Sequence, residues 1–328
     1  MTLHESSQEE LVPRETWPSP PGRSLPLVTG PTFPTLGRRF YKHSPSTFFK
    51  YGISDGEEVM TMLARSILGP CVPRVVTHVT ISKENFPVDH PVEQGIVLAI
   101  LPGKPLVEIW PSLTPSQRQT IKAGLCRLVV SMRKHKFSYY GRPAQQPYVI
   151  YTDISVETYD YCTSRSEWDD SRVRALHAPP YDNTPDADLV VALERVQRGT
   201  TGPSGWDRPV LTHVDLSDRN ILVDPVTLAI TGFLDWEMAN IMPAYSEYVA
   251  ARLTGGFLPE WRKEILDVLR SVLRCECDED DDGGEERYQK TLAAWDAVVD
   301  VERIAQGGSE KSYWTFLPDA SPKDGSAL

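Results

Sequence analysis

The residues best suited to chemistry are concentrated in one stretch, residues 211–239, with the sequence LTHVDLSDRNILVDPVTLAITGFLDWEMA. It holds one histidine, four aspartates, an asparagine and a glutamate around two short β-branched runs. The runs Asn220–Val223 and Leu228–Leu234 predict strands, and the Asp-Pro pair at 224–225 predicts a turn between them. Such a hairpin would bring several oxygen ligands from its two ends to one place.

Asp215, Asn220 and Asp235 are the informative trio of this hairpin. A divalent cation such as Mg²⁺ prefers hard oxygen ligands, few of them from protein and the rest from water and phosphate. Asn220 and Asp235, on neighbouring strands, could supply two of these ligands and leave Asp215 to accept a proton from a substrate hydroxyl. Phosphoryl transfer requires these parts, because the protein contributes positioning and electrostatics rather than covalent chemistry.

The composition restricts the class of protein. The 328 residues suit one large domain or two lobes, and the net charge of -11 argues against nucleic acid or an anionic membrane as the main partner. No apolar run reaches the roughly 18 residues of a transmembrane helix, and the polar amino terminus lacks the apolar core of a signal peptide. The five cysteines are scattered and odd in number, which favours free thiols, so we expect a cytoplasmic protein.

Strand-like segments dominate the amino-terminal part. Residues 1–30 are rich in proline and lack apolar periodicity, which predicts an extended arm. Residues 31–102 form the next predicted unit, and Pro102-Gly103 predicts the link to a second lobe. The predicted strands and helix of this unit are Arg38–His43, Thr47–Tyr51, Arg74–Ser82, Gly95–Leu101 and the helix Asp55–Ile67.

Residues 103–328 predict a larger and mostly helical part. Thr114 and Gln117 predict a capping box at the start of a long helix. The stretch 137–182 is rich in aromatic residues and is predicted to be irregular. Its aromatic side chains can line a substrate pocket or can be ordinary packing. The acidic run 276–286 predicts a solvated or disordered loop. Further predicted helices are Pro185–Arg198, Ala244–Leu253, Pro259–Leu273 and Glu285–Ile304.

Lys50 lies in the aromatic segment TFFKYG, where a period of two places it on the same strand face as Phe48. A lysine in such a strand can be aimed at an anion, but the residues alone favour an edge-strand lysine that faces water. Glu58 also has two interpretations. It can complete a capping box with Asp55, or it can form an ion pair with Lys50.

Segments around the trio resemble a known family. HVDLSDRN at 213–220 and ITGFLDWE at 230–237 are similar to the catalytic and metal-binding segments of the aminoglycoside phosphotransferase family, in its fungal type. That family belongs to the protein-kinase-like superfamily and is related to choline kinases. The resemblance extends over residues 38–253, and it implies an α+β, bilobal, protein-kinase-like fold with a small antiparallel-sheet N-lobe and a larger, mostly helical C-lobe.

The resemblance implies a role for each matching residue. Asp215 would be the catalytic base, and Asn220 and Asp235 would hold Mg²⁺. Lys50 would bind the α- and β-phosphates of the nucleotide and would pair with Glu58. These roles are expectations drawn from the family.

The resemblance to the family also concerns the hinge, His213, Asp218 and the phosphate loop. The segment LAILPGKPL is similar to the family's hinge, so the backbone of Ala99 and Leu101 would hold the adenine. His213 would pack under the catalytic loop. Asp218 adds a negative charge beside the base, where it could raise the pKa of Asp215 or help to hold a cationic acceptor. A Gly-x-Gly-x-x-Gly phosphate loop is missing between the first strands.

The leading hypothesis is a small-molecule kinase that transfers the γ-phosphoryl group of ATP or GTP to a hydroxyl of a small metabolite. The acidic chain favours a cationic or neutral polar acceptor. A hypothesis of another class is a pseudokinase, which is a nucleotide- or ligand-binding module of the same fold without phosphotransfer. The glycine-poor loop favours this hypothesis. A metal hydrolase that uses His213, Asp215 and Asp235 has only its residue types in its favour.

Overall fold

The computed structural model describes residues 15–16, 39–53, 56–80, 94–151, 156–180, 185–199, 208–253, 258–277 and 283–308. The predicted arm lies outside this set except for the short strand β1 (Glu15–Thr16). Asp55, the predicted helix cap, also lies outside the described residues.

A five-stranded sheet forms the amino-terminal lobe. Its spatial order is β1-β4-β5-β3-β2, and every pairing is antiparallel except the one between β1 and β4. One helix, α1, follows β3 in the chain and contacts β4. These elements are β2 (Arg39–Lys42), β3 (Thr47–Tyr51), α1 (Glu57–Leu68), β4 (Val75–Thr80) and β5 (Gln94–Ala99).

The predicted period of two in β3 is confirmed. Phe48 packs with one apolar cluster of the sheet, whereas Phe49 and Tyr51 pack with the other. The interpretation of Lys50 as an edge-strand lysine facing water is wrong, because β3 pairs with β2 on one side and β5 on the other. Its side chain is only 2% exposed.

The link to the second lobe is hydrogen-bonded to the predicted hairpin. After the link, β6 (Lys104–Pro105) pairs with β10 (Ile221–Val223), which in turn pairs with β11 (Ile230–Phe233). Thr231 in β11 donates a hydrogen bond of 2.6 Å from Oγ1 to the carbonyl oxygen of Pro102. The hairpin is therefore confirmed, and it lies directly against the link. The proposed limits of the two lobes at residues 30 and 102 remain a prediction.

Helices build the larger lobe, so the predicted α+β bilobal fold is confirmed. The long helix α3 begins with the predicted capping box, in which Thr114 and Gln117 bond reciprocally. Its buried face packs against α7. Trp110, in the 3₁₀ turn before α3, meets Trp261 of α7 edge to face at 5.0 Å. The helices are α2 (Leu106–Ile109), α3 (Pro115–Lys134), α4 (Arg165–His177), α5 (Ala187–Gly199), α6 (Ser246–Leu253), α7 (Pro259–Cys277) and α8 (Gly284–Ala305).

The prediction that residues 137–182 are irregular is wrong. They form the hairpin β7 (Tyr148–Tyr151) and β8 (Val156–Tyr159), followed by α4. Helix α4 buries the polar residues Asp169 and Arg172 together with Trp168, so its sequence lacks a clean apolar periodicity. Two more short strands, β9 (Pro209–Thr212) and β12 (Asn240–Pro243), pair with each other. The acidic run 276–286 begins inside α7, and residues 278–282 lie outside the described set.

Membrane-spanning helices and disulfides are two further features on which the sequence made predictions. Among the described residues, no helix combines the length and apolar character that crossing a membrane requires. All five cysteines are free thiols in the structure.

Gly103 is expected to be intolerant of a side chain. Its φ is +110°, and a Cβ there would lie 2.3 Å from Thr231 Oγ1 and 3.0 Å from the carbonyl oxygen of Val223. We expect Gly103→Ala to lower the free energy of unfolding by about 1–3 kcal/mol, through backbone strain and displacement of the hairpin. Urea denaturation measures this change.

Gly199→Ala is the matched control, because a Cβ at this helical position meets nothing within 4 Å. It should stay within about 1 kcal/mol of wild type, on the stabilising side. Equal unfolding midpoints for Gly103→Ala and wild type would contradict the described contact between link and hairpin.

Candidate active site

A buried lysine gathers three carboxylates from distant parts of the chain. Lys50 Nζ lies 2.7 Å from Glu57 Oε1, 2.7 Å from Asp235 Oδ1 and 2.9 Å from Glu237 Oε2. We call these four residues, Lys50, Glu57, Asp235 and Glu237, the lysine cage. The three carboxylates come from helix α1 and from the segment after β11, so the cage joins both lobes.

Local backbone geometry aims each carboxylate at the lysine. Glu57 is the first residue of α1 and follows Gly56, whose φ is +87°. Asp235 adopts the left-handed conformation with φ +65°, which is uncommon for a residue other than glycine. Glu237 lies in the 3₁₀ turn Trp236–Met238, which packs against α1. The strain at Asp235 directs its side chain towards Lys50 at the end of the hairpin.

The predicted ion pair between Lys50 and Glu58 is wrong by one residue. Glu58 Oε2 lies 2.6 Å from Nδ1 of His78 in β4, and Glu57 takes the place beside Lys50. The reason is the start of α1. Side chains of successive residues in a helix are rotated by about 100° around its axis. Because α1 begins at Glu57, Glu57 points towards Lys50 and Glu58 points towards His78.

The charges of the cage attract cations. Burial alone would lower the pKa of Lys50, but the negative charges of Asp235, Glu57 and Glu237 outweigh this effect and raise that pKa well above its ordinary value. One ammonium and three carboxylates carry a formal charge of +1 − 3 = −2. Carboxylate oxygens of the three acids lie within 4.8 Å of one another, and the lysine ammonium contacts all three.

Only one acid of the cage has substantial access to solvent. The side chain of Asp235 is 31% exposed, whereas those of Glu57 and Glu237 are 1% and 4% exposed. Asp235 is therefore the member of the cage that an incoming cation or ligand can reach.

Asp215 and Asn220 form the neighbouring part of the site. Asn220 Nδ2 donates hydrogen bonds to Oδ2 of Asp215 at 2.8 Å and to its carbonyl oxygen at 3.1 Å. Burial, followed by the negative charge of Asp235, raises the pKa of Asp215 to about 6. The carbonyl oxygen of Asn220 accepts a hydrogen bond from the backbone N–H of Leu234, which connects this segment to the one carrying Asp235.

Glu247 in α6 holds the loop that carries Asp215. Its carboxylate accepts hydrogen bonds from the backbone N–H groups of His213 at 2.7 Å and Val214 at 3.0 Å. Val214 has a φ of +70°, which is a strained conformation for a β-branched residue. A buried carboxylate with two backbone donors can hold such a strained turn in place.

His213 connects the two chemical segments. Its Nε2–H donates to the carbonyl oxygen of Leu234 at 2.8 Å, and its ring packs edge to face on Trp236 at 4.5 Å. Burial lowers the pKa of His213, so the ring is neutral near pH 7. His213 is therefore a buried packing residue between the segment of Asp215 and the segment of Asp235.

Asp218 is buried in the protein interior. Its side chain is fully buried, and its carboxylate accepts hydrogen bonds from the N–H of Leu258 and the hydroxyl of Ser217. The neighbouring charge that raises the pKa of Asp215 comes from Asp235. The geometry therefore does not support the idea that Asp218 holds a cationic acceptor.

Ala99 is the last residue of β5, and Leu101 follows it in the link to the second lobe. The N–H of Ala99 donates to the carbonyl oxygen of Arg74 at 2.9 Å, so it is engaged within the sheet. The side chain of Leu101 lies against Gly232 of the hairpin, where an added Cβ would approach it to 2.9 Å. Any contact of Ala99 with a ligand through its backbone would thus use the carbonyl group.

Sequence reasoning missed two residues of this site. Glu57 was missed because its role depends on which residue begins α1, and Glu237 was missed because its contact with Lys50 joins residues far apart in the chain. The adjacent glutamates at 57 and 58 were a usable signal, because either of them could be the partner of Lys50. The part played by Glu247 is visible only in three dimensions.

One protein family matches a large part of this chain. Residues 57–276 match the profile of the APH family, described as a phosphotransferase enzyme family. Among curated proteins, none matches this chain.

Solved structures show the same fold at low sequence identity. A thermostable variant of the aminoglycoside phosphotransferase APH(4)-Ia, in ternary complex with ADP and hygromycin B, has a TM-score of 0.51 at 14% identity, over 87% of this chain and 86% of that chain. Another such variant, with AMP-PNP and hygromycin B, has a TM-score of 0.50 at 14% identity and 82% coverage of each chain. The GDP complex of aminoglycoside 2′-phosphotransferase-IIIa has a TM-score of 0.50 at 13% identity, over 84% of this chain and 82% of that chain.

Removal of the central ammonium should destabilise the fold. We expect Lys50→Met to lower the free energy of unfolding at pH 7 by about 3–5 kcal/mol, because it leaves buried carboxylates without their counter-charge. Urea denaturation measures the loss. Lys122→Met is the control, since Lys122 pairs with Glu264 in a partly exposed ion pair and should cost less than about 1 kcal/mol. Equal losses in the two variants would contradict the stabilising role of the lysine cage.

Proposed function

The chain belongs to the APH phosphotransferase enzyme family, and from this premise we propose that it is a small-molecule kinase. It transfers the γ-phosphoryl group of ATP or GTP to a hydroxyl of a small metabolite. The observation that carries the proposal is the lysine cage beside Asp215 and Asn220. A buried cation, a reachable carboxylate, an amide and a second carboxylate are the parts that phosphoryl transfer uses.

Asn220 and Asp235 would hold Mg²⁺. Their chemistry fits this ion, since an amide oxygen and a carboxylate are hard oxygen donors and Mg²⁺ takes few ligands from protein. The amide nitrogen of Asn220 is bonded to Asp215, so its amide oxygen is the atom left for a cation. Asp235 is the accessible acid of the lysine cage. When bound, the ion would neutralise charge on the phosphates.

Lys50 would bind the α- and β-phosphates of the nucleotide. Its ammonium stays protonated, because the three carboxylates raise its pKa. Glu57 and Glu237 are almost fully buried and can keep holding the lysine when Asp235 turns to a ligand. The carbonyl of Ala99 and the backbone of Leu101 would hold the base at the hinge.

Asp215 would act as the general base. With a pKa of about 6, its carboxyl is largely ionised at pH 7 and can accept the proton of the acceptor hydroxyl. The hydroxyl oxygen then forms a bond to the γ-phosphorus, and the bond between this phosphorus and the β–γ bridging oxygen breaks. The nucleoside diphosphate leaves with that oxygen, and the proton remains on Asp215.

The negative charge of the chain favours one class of acceptor. The net charge of the chain is -11, and the lysine cage carries a local formal charge of −2, so a cationic or neutral polar acceptor is favoured over an anionic one. The APH(4)-Ia complexes contain hygromycin B with adenine nucleotides, and the 2′-phosphotransferase complex contains GDP. Both nucleotides therefore belong in the test of this chain.

Substitution of the base should separate binding from transfer. We expect Asp215→Asn to lower kcat by roughly 10²–10⁴-fold, the usual share of a general base, with little change in nucleotide affinity. Asp235→Asn should instead lose the Mg²⁺-dependent part of nucleotide binding. Nucleotide turnover against a panel of polyols and amino alcohols, with thermal stability in Mg-ATP and Mg-GTP, measures both effects. Asp224→Asn, at the exposed hairpin turn, is the control.

The outcomes distinguish the two classes of function. No nucleotide-dependent shift in the wild type would overturn the kinase proposal. A Mg²⁺-dependent shift without turnover of any acceptor would favour the binding module.

The two glutamates of α1 give a matched test of the nucleotide site. We expect Glu57→Gln to weaken binding of the Mg-nucleotide about tenfold, equivalent to ~1.4 kcal/mol, because Lys50 loses a charged partner. Glu58→Gln should change affinity by less than about twofold, since Glu58 contacts His78 and not Lys50. Isothermal titration calorimetry measures both. The reverse order of effects would show that Glu58 is the functional partner.

A further inference from the structure

A strained turn lies beside the lysine cage. Residues 142–146 reverse the chain between α3 and β7, and the N–H of Arg142 closes the turn on the carbonyl oxygen of Gln146 at 2.9 Å. Ala144 and Gln145 have φ values of +57° and +56°, a left-handed pair without glycine. Such strain persists only where the surrounding contacts fix the backbone.

Arg142 supplies these contacts on one side of the turn. Its side chain is only 1% exposed, yet it carries a guanidinium. Nε donates to the carbonyl oxygen of Ala239 and to Oδ1 of Asn240, each at 3.1 Å, and Nη2 donates to the carbonyl oxygen of Glu237. All three acceptors belong to the segment 237–240, so the guanidinium fixes the backbone that carries Glu237.

Asn240 extends the same network. Its Nδ2 donates to the carbonyl oxygens of Val149 and Met238, each at 2.8 Å, and its Oδ1 accepts from the N–H of Val149 at 3.1 Å. Strand β7 is thereby attached to the 3₁₀ turn that contains Met238. The guanidinium and this amide together leave the segment little freedom to move.

The other side of the turn lies against α1. A Cβ added to Gly56 would be 2.8 Å from Arg142 Nη1 and 3.1 Å from Gln146 Oε1, so the turn contacts the backbone directly before Glu57. The same arginine therefore touches the two segments that carry Glu57 and Glu237. These are the two buried acids of the lysine cage.

We propose that Arg142 is a positioning residue for Lys50, which fixes Glu57 and Glu237 so that the ammonium is held in one place. Arginine suits this task because its planar fork of N–H groups can reach several acceptors, whereas lysine has a single flexible point charge. The consequence for nucleotide binding rests on the proposed function, but the geometric claim about Lys50 does not. Arg133 and Arg172 are also deeply buried, but their ion pairs with Glu276 and Glu302 join helices of the larger lobe.

The direct test measures the reactivity of Lys50 without any nucleotide. The protein is treated with an amine-acetylating reagent at pH 8, and the rate of labelling at each lysine is followed by peptide mass spectrometry. In Arg142→Met, Lys50 should be labelled at least about tenfold faster than in wild type, because looser carboxylates let the lysine reach solvent. Arg142→Lys should recover only part of the protection.

Arg172→Met is the matched control, because Arg172 is equally buried and pairs with Glu302 in another part of the chain. It should lower thermal stability but leave Lys50 labelling unchanged. Unchanged labelling in a folded Arg142→Met variant, or equal acceleration in Arg172→Met, would overturn the proposal. If Arg142→Met does not fold, Gly56→Ala decides by the same readout, since its Cβ displaces the turn from α1.

A nucleotide titration separates this inference from the proposed function. In Arg142→Met the Kd for Mg-ATP or Mg-GTP, and the KM of any turnover, should rise about tenfold with a smaller change in kcat, because the effect is on nucleotide positioning. Faster Lys50 labelling in Arg142→Met, together with a wild-type protein that binds no nucleotide, would support the positioning role and contradict the kinase proposal. Wild-type binding with unchanged affinity and labelling in Arg142→Met would contradict the positioning role alone.

Discussion

The structure depends on the burial of one ammonium group among three carboxylates. A buried charge costs several kcal/mol unless its partners are close and well oriented, so the cage forms only when strand β3, helix α1 and the segment after β11 meet. These elements come from both lobes and from opposite parts of the sequence. The lysine cage thus couples the arrangement of the lobes to the geometry of the site.

Strained backbone gives this site its shape. Asp235 at φ +65° and Val214 at φ +70° both lie at the ends of the segments that carry the chemistry. Glu247 compensates by accepting hydrogen bonds from the backbone N–H groups of His213 and Val214, and His213 bonds to the carbonyl oxygen of Leu234, the residue before Asp235. Strain of this kind is characteristic of functional sites, because the surrounding fold must hold what the local sequence disfavours.

Much of this architecture was predictable from the sequence. The hairpin, strand β3 and the capping box of α3 follow from alternation and local turn chemistry, which need only neighbouring residues. The partner of Lys50 was missed because it depends on whether α1 begins at residue 57 or earlier. Helix α4 was missed because its buried Asp169 and Arg172 interrupt the apolar pattern. The contacts of Glu237, Glu247 and Arg142 join residues far apart in the chain, and no local pattern encodes them.

The most direct measurement of the central claim is a crystal structure with Mg²⁺ and a non-hydrolysable ATP or GTP analogue. Our account predicts Lys50 Nζ on the α- and β-phosphates and still bonded to Glu57, with the carboxylate of Asp235 and the amide oxygen of Asn220 on the metal ion. The adenine or guanine would lie at the hinge beside Leu101. A nucleotide bound elsewhere, with Lys50 still held by all three carboxylates, would contradict it.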